Sequence, residues 1–174
     1  MKRLLAFAPL AVLAILAIVF AGWSLKRDPH VQPHALVGKP APTIALATLD
    51  GAGPLTTREG SDGPFLINFF ASWCGPCAIE HPTLMALKDQ GVRVVGVAYK
   101  DKPEDSLGFL RRHGNPFAKL GVDQPGRVAI DYGLYGVPET YLIDKGGIIR
   151  WRWAGPITEE ILAQQINPLL KRFA

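Results

Sequence analysis

The sequence predicts an α/β domain in which helices flank a central mixed β-sheet, preceded by an N-terminal transmembrane helix. Two observations predict the domain: short apolar strands alternate with helical segments, and a strand hairpin followed by a helix ends the chain. The transmembrane helix is predicted by 22 uncharged residues, Leu4–Leu25. At 1.5 Å per residue, a helix of this length would reach about 33 Å, enough for the apolar core of a bilayer.

We divide the chain into three parts: a membrane anchor at 1–27, a tether at 28–35 and a folded domain at 36–174. A cleaved signal peptide is the alternative to the anchor, because Lys2 and Arg3 precede the apolar run and residues 19–21 offer a cleavage site. The run is longer than the roughly 7–15 apolar residues of such peptides, and Trp23 suits a membrane interface. We therefore favour a retained anchor.

The first half of the domain is predicted from its apolar runs. A strand is expected at Thr43–Leu49, and two further runs are apolar enough for strands buried on both faces, at Phe65–Phe70 and Val92–Ala98. Helices are expected after Cys74 and at Glu104–His113. This order of strand, helix, strand and helix is typical of a sheet covered by helices.

The second half begins with a stretch rich in Gly and Pro, residues 114–127, to which we assign no strand or helix. Strands at Thr140–Ile143 and Ile148–Trp153 are expected to form a hairpin, because Asp144-Lys145-Gly146-Gly147 between them is a turn sequence. Thr158 is a suitable N-cap for a last helix, and two acids follow it in the first turn.

The charge distribution argues against a nucleic-acid partner. The chain has a formal net charge of +4, but its first four basic residues flank the apolar run, and the remainder holds 15 Lys and Arg against 15 Asp and Glu. Proteins that bind nucleic acids carry a basic patch that such a balanced domain lacks. We expect a membrane and other proteins as partners, and no nucleic acid.

The two cysteines form one C-x-x-C unit, Cys74 and Cys77. With a strand before it and a helix after it, Cys74 would lie at a helix N-terminus, where free N–H groups and the dipole favour a thiolate. Cys77 is then placed to resolve a mixed disulfide. Gly75 permits close approach of another chain, and Pro76 is tolerated in a first helical turn. Trp73 either contacts a partner beside the sulfur or packs half-buried, and both remain open.

Other roles for the cysteine pair fit less well. A structural zinc site needs four ligands, and only His81 lies nearby. Haem attachment needs C-x-x-C-H, but Ala78 follows Cys77. A structural disulfide closing so short a loop would constrain little of the unfolded chain. We therefore expect redox chemistry, with no metal and no cofactor besides the Cys74–Cys77 disulfide, and we expect His81 on the helix surface without a catalytic role.

The motifs together resemble a known fold and family. Trp-Cys-Gly-Pro-Cys after an apolar strand, a proline at residue 82 in the following helix, and Val137-Pro138 before a strand resemble the thioredoxin fold. Further segments resemble the cytochrome c biogenesis thiol-disulfide oxidoreductases, the CcmG/DsbE group: Cys77-Ala78-Ile79-Glu80-His81-Pro82, Gly114-Asn115-Pro116-Phe117, Tyr135-Gly136-Val137-Pro138-Glu139-Thr140 and Leu142-Ile143-Asp144 through Ile148-Ile149-Arg150. This similarity extends over nearly the whole chain.

The resemblance implies a location, a substrate and partners. The domain would face the periplasm from a single-pass inner-membrane anchor and reduce the C-x-x-C-H disulfide of apocytochrome c, directly or through a partner thiol protein. Electrons would come from a membrane thiol reductase. Pro138 would be a cis-proline beside the dithiol, so that the backbone of Val137 meets the incoming peptide. The Gly75-Pro76 dipeptide matches that of thioredoxin, which favours a reducing role.

The resemblance also assigns roles to three polar residues. Thioredoxins carry a buried Asp where this strand has Asn68, which cannot accept a proton. The family instead has an acid after the second cysteine and another after the cis-proline, matching Glu80 and Glu139; we therefore expect Glu139, like Asn68, to support the active site beside the dithiol. A partly buried Glu80 with a raised pKa could act as general base toward Cys77. The alternative is that Glu80 is a first-turn acid stabilised by the helix dipole.

Two other functions share the same motifs. A general exported disulfide reductase would differ mainly in its substrate surface, and a non-enzymatic module could bind apocytochrome c with its cysteines secondary. A peroxiredoxin fits less well, because the pattern Pro-x-x-x-Thr/Ser-x-x-Cys does not occur before Cys74.

Overall fold

A computed structural model of the chain describes residues 8–24, 36–49, 53–56 and 62–174. The chain divides into two units, Met1–Pro33 and His34–Ala174. In the first unit, helix α1 covers Ala8–Ser24. Among the described residues, no helix combines the length and the apolar character needed to cross a membrane. The transmembrane helix expected at Leu4–Leu25 is thus not found there; residues 4–7 and 25, like the tether at 28–35, lie outside the described ranges.

The second unit contains strands, helices and one π-helical segment. Its strands are β1 (Ala45–Ala47), β2 (Pro54–Thr56), β3 (Phe65–Phe70), β4 (Val94–Tyr99), β5 (Lys119–Asp123), β6 (Glu139–Ile143) and β7 (Ile149–Ala154). Its helices are α2 (Gly75–Asp89), α3 (Pro103–His113), α4 (Arg127–Asp131), α5 (Glu159–Ile161) and α6 (Asn167–Phe173), with π-helical residues Leu162–Ile166 between the last two.

Five of the strands form a mixed sheet in the order β5-β4-β3-β6-β7. Strands β3, β4 and β5 are parallel, whereas β6 and β7 run antiparallel to their neighbours. Strands β1 and β2 form a separate two-stranded antiparallel sheet. The predicted class, a central mixed sheet flanked by helices, is confirmed.

Apolar residues cover both faces of the sheet. One face packs against α2, α3 and the C-terminal helical residues, and this cluster includes Cys74, Cys77 and Phe70. The other face packs against α4 and residues from β1 and β2. All six residues of β3 are buried, as expected for a central strand covered on both sides. Because only a short turn separates the end of β3 at Phe70 from Cys74, the sheet fixes the position of the dithiol.

Most of the predicted elements are confirmed, but β2, β5 and α4 were missed. The hairpin turn lies at residues 144–147, and Thr158 caps α5 with its side chain, which accepts a 3.3 Å hydrogen bond from the amide of Ile161. Strand β5 falls within residues 114–127, to which we assigned no element. Its Gly121 suggested a turn, yet a Cβ there would lie 2.8 Å from Leu55 and 3.0 Å from Leu46. Glycine is needed at this point because other chain segments approach closely.

Candidate active site

The two cysteines lie where β3 passes into α2. Cys74 is the N-cap of α2, and its Sγ accepts a 3.1 Å hydrogen bond from the amide of Cys77. The pair forms a disulfide with a Cα–Cα distance of 5.3 Å. Amides at the start of a helix stabilise negative charge on sulfur, so the position favours a thiolate at Cys74 once the disulfide is reduced.

The residues next to Cys74 are exposed, although Cys74 itself has only 5% of its surface exposed. Trp73 has 61% of its surface exposed, and its Nε1 donates to the carbonyl of Lys100 over 3.4 Å. Gly75 and Pro76 are also exposed, and apart from its chain neighbours and the nearby backbone of α2 no atom lies within 4 Å of where a Cβ at Gly75 would be. Of the two alternatives for Trp73, the exposed position favours contact with a partner over half-buried packing.

Glu80 is buried in the second turn of α2, with 1% of its surface exposed. It follows Cys77 by three residues, a spacing that places both side chains on one face of the helix. Burial raises the pKa of Glu80 to about 7, although hydrogen bonds from the Ile157 amide and the Asn68 side chain lower it. The first turn of α2 contains no acid, so the alternative interpretation of Glu80 as a first-turn acid is wrong.

Asn68 connects β3 to this carboxyl group. Its Nδ2 donates to Oε1 of Glu80 over 2.8 Å and to Oγ1 of Thr140 over 3.0 Å, while the Ile157 amide donates to Oε2 of Glu80 over 2.9 Å. Asn68 has no exposed surface, and its Oδ1 has no hydrogen-bond partner within the described ranges. Thr140, which was missed, lies directly opposite Asn68 in the β3–β6 register. Correct pairing of the two predicted strands would have found it.

Glu139 lies on the other face of the sheet from Glu80. Side chains alternate along β6, so Thr140 points toward Asn68 while Glu139 and Tyr141 point away from it. Oε1 of Glu139 accepts from Nε of Arg152 and from the hydroxyl of Tyr141. Placement of Glu139 beside the dithiol is therefore corrected, because the strand period of two residues directs its carboxylate elsewhere.

The loop before β6 contains the expected cis peptide, Val137-Pro138. Pro138 is buried, and its carbonyl accepts a 2.9 Å hydrogen bond from Gly155. Val137 is half-buried and packs against both apolar clusters, the one that holds the cysteines and the one on the other face of the sheet. The structure thus brings Val137 into contact with the cluster that holds the dithiol, whereas the carboxylate of Glu139 is turned to the opposite side.

His81 is buried, not on the helix surface as we expected. Only 2% of it is exposed, and its Nε2 donates a 2.9 Å hydrogen bond to the carbonyl of Gly114. Burial lowers the pKa of His81; the Gly114 hydrogen bond raises it, and nearby His113 lowers it. The ring packs edge-on against Phe109 at 5.1 Å. His81 therefore ties α2 to α3 in the packed interior.

These residues provide a redox pair with a proton acceptor on the same helix face. A thiol must lose its proton before it can attack a disulfide, and a carboxyl with a pKa near 7 suits that transfer. Among the described residues, no group of three or more His, Cys, Asp or Glu side chains is arranged to hold a metal.

Comparisons with known proteins agree with this chemistry. The sequence matches the Redoxin family over residues 36–166. It is 43% identical over 173 residues to the thiol:disulfide interchange protein HelX of Rhodobacter capsulatus, covering 98% of this chain and 97% of HelX. It is 38% identical over 181 residues to DsbE of Escherichia coli K12, covering 100% and 97% of the two chains. A Chlorobium tepidum structure assigned to DsbE superposes with a TM-score of 0.66 at 30% identity, covering 77% of this chain and 97% of that one.

Proposed function

This chain belongs to the Redoxin family and is a thioredoxin-like thiol-disulfide oxidoreductase of the DsbE/HelX type, and from this premise we propose that it reduces the disulfide of apocytochrome c C-x-x-C-H motifs during cytochrome c maturation. The reaction is direct or passes through a partner thiol protein. The observation that carries thiol-disulfide exchange by this pair is the buried Glu80 on the Cys77 face of α2, and the reducing direction is proposed from the resemblance to the CcmG/DsbE group.

The proposed reaction proceeds in two thiol-disulfide exchange steps. The Cys74 thiolate attacks one sulfur of the substrate disulfide; a new S–S bond forms and the first substrate thiolate leaves. Cys77 gives its proton to Glu80, and its thiolate attacks Sγ of Cys74, which releases the second substrate thiolate. Two electrons have then passed to the substrate, which takes up two protons, and the protein holds a Cys74–Cys77 disulfide.

Glu80 supports this pair of steps because the second step requires deprotonation of a buried thiol. Cys77 has 1% of its surface exposed, so water has little access to its proton. A carboxylate on the same helix face supplies an acceptor, and its pKa of about 7 leaves about half of it ionised at neutral pH. Asn68 and the Ile157 amide hold this carboxylate in place.

The proposed substrate contact consists of the exposed residues Trp73, Gly75 and Pro76, with half-buried Val137 and buried Pro138 beside them. Trp73 and Gly75 are open to solvent, and Val137 packs against the cluster that contains the cysteines. A flexible chain with an exposed disulfide can reach such a surface. Apocytochrome c is such a chain before haem attachment, and a membrane thiol reductase would return the oxidised dithiol to its reduced form.

We place the protein in the inner membrane with its catalytic domain in the periplasm. Support comes from the uncharged run Leu4–Leu25, within which residues 8–24 are helical. The described apolar side chains of this helix are exposed, including Leu13, Ile18 and Phe20, each at 72%. We assign residues 1–27 to the anchor and 28–35 to the tether, ahead of the domain at 36–174.

Complementation of a strain that lacks this gene tests the proposal. The full-length chain should restore c-type cytochromes, whereas a Cys74→Ser/Cys77→Ser variant expressed to the same level should not. Restoration by the double variant would instead support a module that binds apocytochrome c without redox chemistry. Equal reduction of C-x-x-C-H and unrelated peptide disulfides by the purified protein would support a general exported reductase.

A further inference from the structure

The buried carboxylate of Asp101 accepts hydrogen bonds from Ser72, in the turn that precedes the dithiol. Asp101 lies between the end of β4 at Tyr99 and the start of α3 at Pro103, and 4% of its surface is exposed. Its Oδ2 accepts from the amide of Ser72 over 2.8 Å and from the hydroxyl of Ser106 over 2.7 Å. Its Oδ1 accepts from the hydroxyl of Ser72 over 2.8 Å and from the amide of Lys102 over 3.1 Å. Asp101 thus joins Ser72 to the start of α3.

Ser72 lies two residues before Cys74, in the turn between β3 and α2. The amide of Cys74 donates a 3.2 Å hydrogen bond to the carbonyl of Ala71, so the turn closes directly around Ser72. Both polar groups of Ser72 donate to Asp101. The position of this turn sets where Sγ of Cys74 lies relative to the amides at the start of α2.

A second contact joins the same two segments. The carbonyl of Lys100 accepts from Nε1 of Trp73 over 3.4 Å, and the amide of Lys100 donates to the carbonyl of Asp123 over 3.0 Å. Lys100 has a φ of 45°, a left-handed backbone angle that is uncommon outside glycine and that structures retain mainly at functional sites. The loop that carries Asp101 is therefore held in an unusual conformation against the turn between β3 and α2, which leads into the dithiol.

Only a carboxylate satisfies all the donors around Asp101. Each of its oxygens accepts from one backbone amide, Ser72 on Oδ2 and Lys102 on Oδ1. A backbone N–H cannot reverse its role, so an Asn at this position would place its NH2 against a donor in either orientation. Replacement by Asn therefore breaks the link to the dithiol turn with almost no change in size.

We propose that Asp101 is a positioning residue for the dithiol: through Ser72 it fixes the turn that carries Trp73 and Cys74, and so keeps Sγ of Cys74 at the α2 amides. This inference rests on the thiol-disulfide chemistry of the pair and is independent of which protein disulfide is the physiological substrate. Removal of the link should weaken the stabilisation of the Cys74 thiolate. Removal of a negative charge alone should have the opposite effect, because it would favour the thiolate.

The test compares the pH dependence of Cys74 alkylation in the reduced full-length protein and in Asp101→Asn, with folding checked by circular dichroism. We expect the alkylation midpoint of the variant at higher pH and its reaction with a small disulfide at pH 7 slower by about tenfold, less than the ~100-fold loss that a 1 Å misplacement can cause. A smaller shift in the same direction is expected for Ser72→Ala, which removes one of the two bonds and leaves the charge.

Asp144→Asn is the matched control. Asp144 accepts from the amides of Gly146 and Ile148 and from Arg150, at the end of β6 that pairs with the start of β3 and hence far from the cysteines. The midpoint of Cys74 alkylation should not move in this variant. An unchanged or lower midpoint in Asp101→Asn would overturn the proposal. If Asp101→Asn does not fold, Ser72→Ala decides: a higher midpoint supports the proposal, and any other result overturns it.

Discussion

Nδ2 of Asn68 donates a 2.8 Å hydrogen bond to Oε1 of Glu80 and so joins β3 to α2 on the face of the sheet that holds the dithiol. Oδ1 of Asn68 has no partner among the residues that the structure describes. An amide can present either its oxygen or its NH2 group to a neighbour when it turns over. Asn68 can therefore hydrogen-bond Glu80 as a carboxylate and, when turned over, as a protonated acid.

Glu80→Gln removes the proposed proton acceptor and should alter the pH dependence of the resolving step. In the wild type, release of substrate from the Cys74 mixed disulfide should accelerate as pH rises through about 7, because Glu80 ionises there. In Glu80→Gln this inflection should be lost, with a rate at pH 7 lower by about 100-fold. Stopped-flow measurement of substrate release between pH 5 and about 9 checks both effects.

Formation of the mixed disulfide is the internal control for Glu80→Gln. This first step uses the Cys74 thiolate, so its rate should change little. An unchanged pH profile for the second step would show that Glu80 is not the base for Cys77.

The raised pKa of Glu80 also predicts how stability depends on pH. Between pH 4.5 and about 7 the folded oxidised protein retains a proton that the unfolded chain has lost, so stability falls as pH rises and the loss is complete above 7. Relative to Glu80→Gln, the wild type should lose about 3 kcal/mol over this range. Urea denaturation of both oxidised proteins at several pH values measures the difference. A difference that stays constant with pH would contradict the burial of an ionisable Glu80.

Asn68→Leu removes the hydrogen bond from Asn68 to Glu80 and so tests the effect of that bond on the pKa of Glu80. The Asn68 bond lowers the pKa of Glu80, and its removal leaves burial as the larger effect. The titration midpoint of the carboxyl group should therefore move above that of the wild type. Infrared difference spectra of the carboxyl band follow this midpoint, and Glu80→Gln identifies the band. A midpoint that is unchanged or lower would show that Asn68 does not stabilise the carboxylate.

Arg152→Met tests whether Glu139 serves structure rather than proton transfer. Arg152 is buried beside Glu139 and also donates a 2.9 Å hydrogen bond to the carbonyl of Gly133. Loss of one partner of a buried ion pair costs about 3–5 kcal/mol, and the double variant Glu139→Gln/Arg152→Met should recover part of this loss. The midpoint of Cys74 alkylation should stay unchanged in every folded variant. A shifted midpoint of Cys74 alkylation in Glu139→Gln would show that Glu139 does act on the redox site.

The central part of the fold could be predicted because its patterns are local. The run Phe65–Phe70 is apolar throughout, and Pro76 and Thr158 mark helix starts that the structure confirms. Strand β5 was missed because its Gly121 suggested a turn. Glycine there instead allows close packing: a Cβ at Gly121 would lie 2.8 Å from Leu55. Such approaches depend on contacts distant in sequence, which the local pattern does not contain.

The candidate site was predicted only in part. The motif gave Cys74 and Cys77, and the family resemblance gave Glu80, but neither showed that Asn68 and Ile157 hold its carboxylate. Glu139 was misplaced because adjacency to Pro138 in sequence does not set the face of β6. Alternation along the strand does so, and it requires the register against β3.

The ordered roles of Cys74 and Cys77 are tested most directly by trapping in native membranes. Full-length Cys77→Ser retains the attacking thiol but cannot resolve, so we expect a covalent complex at Cys74 that reductant releases and that mass spectrometry identifies as apocytochrome c or a thiol protein of cytochrome c maturation. Cys74→Ser, expressed equally, should trap neither. Absence of a trapped complex with Cys77→Ser, or an equal yield with Cys74→Ser, would contradict the proposed order of attack and resolution.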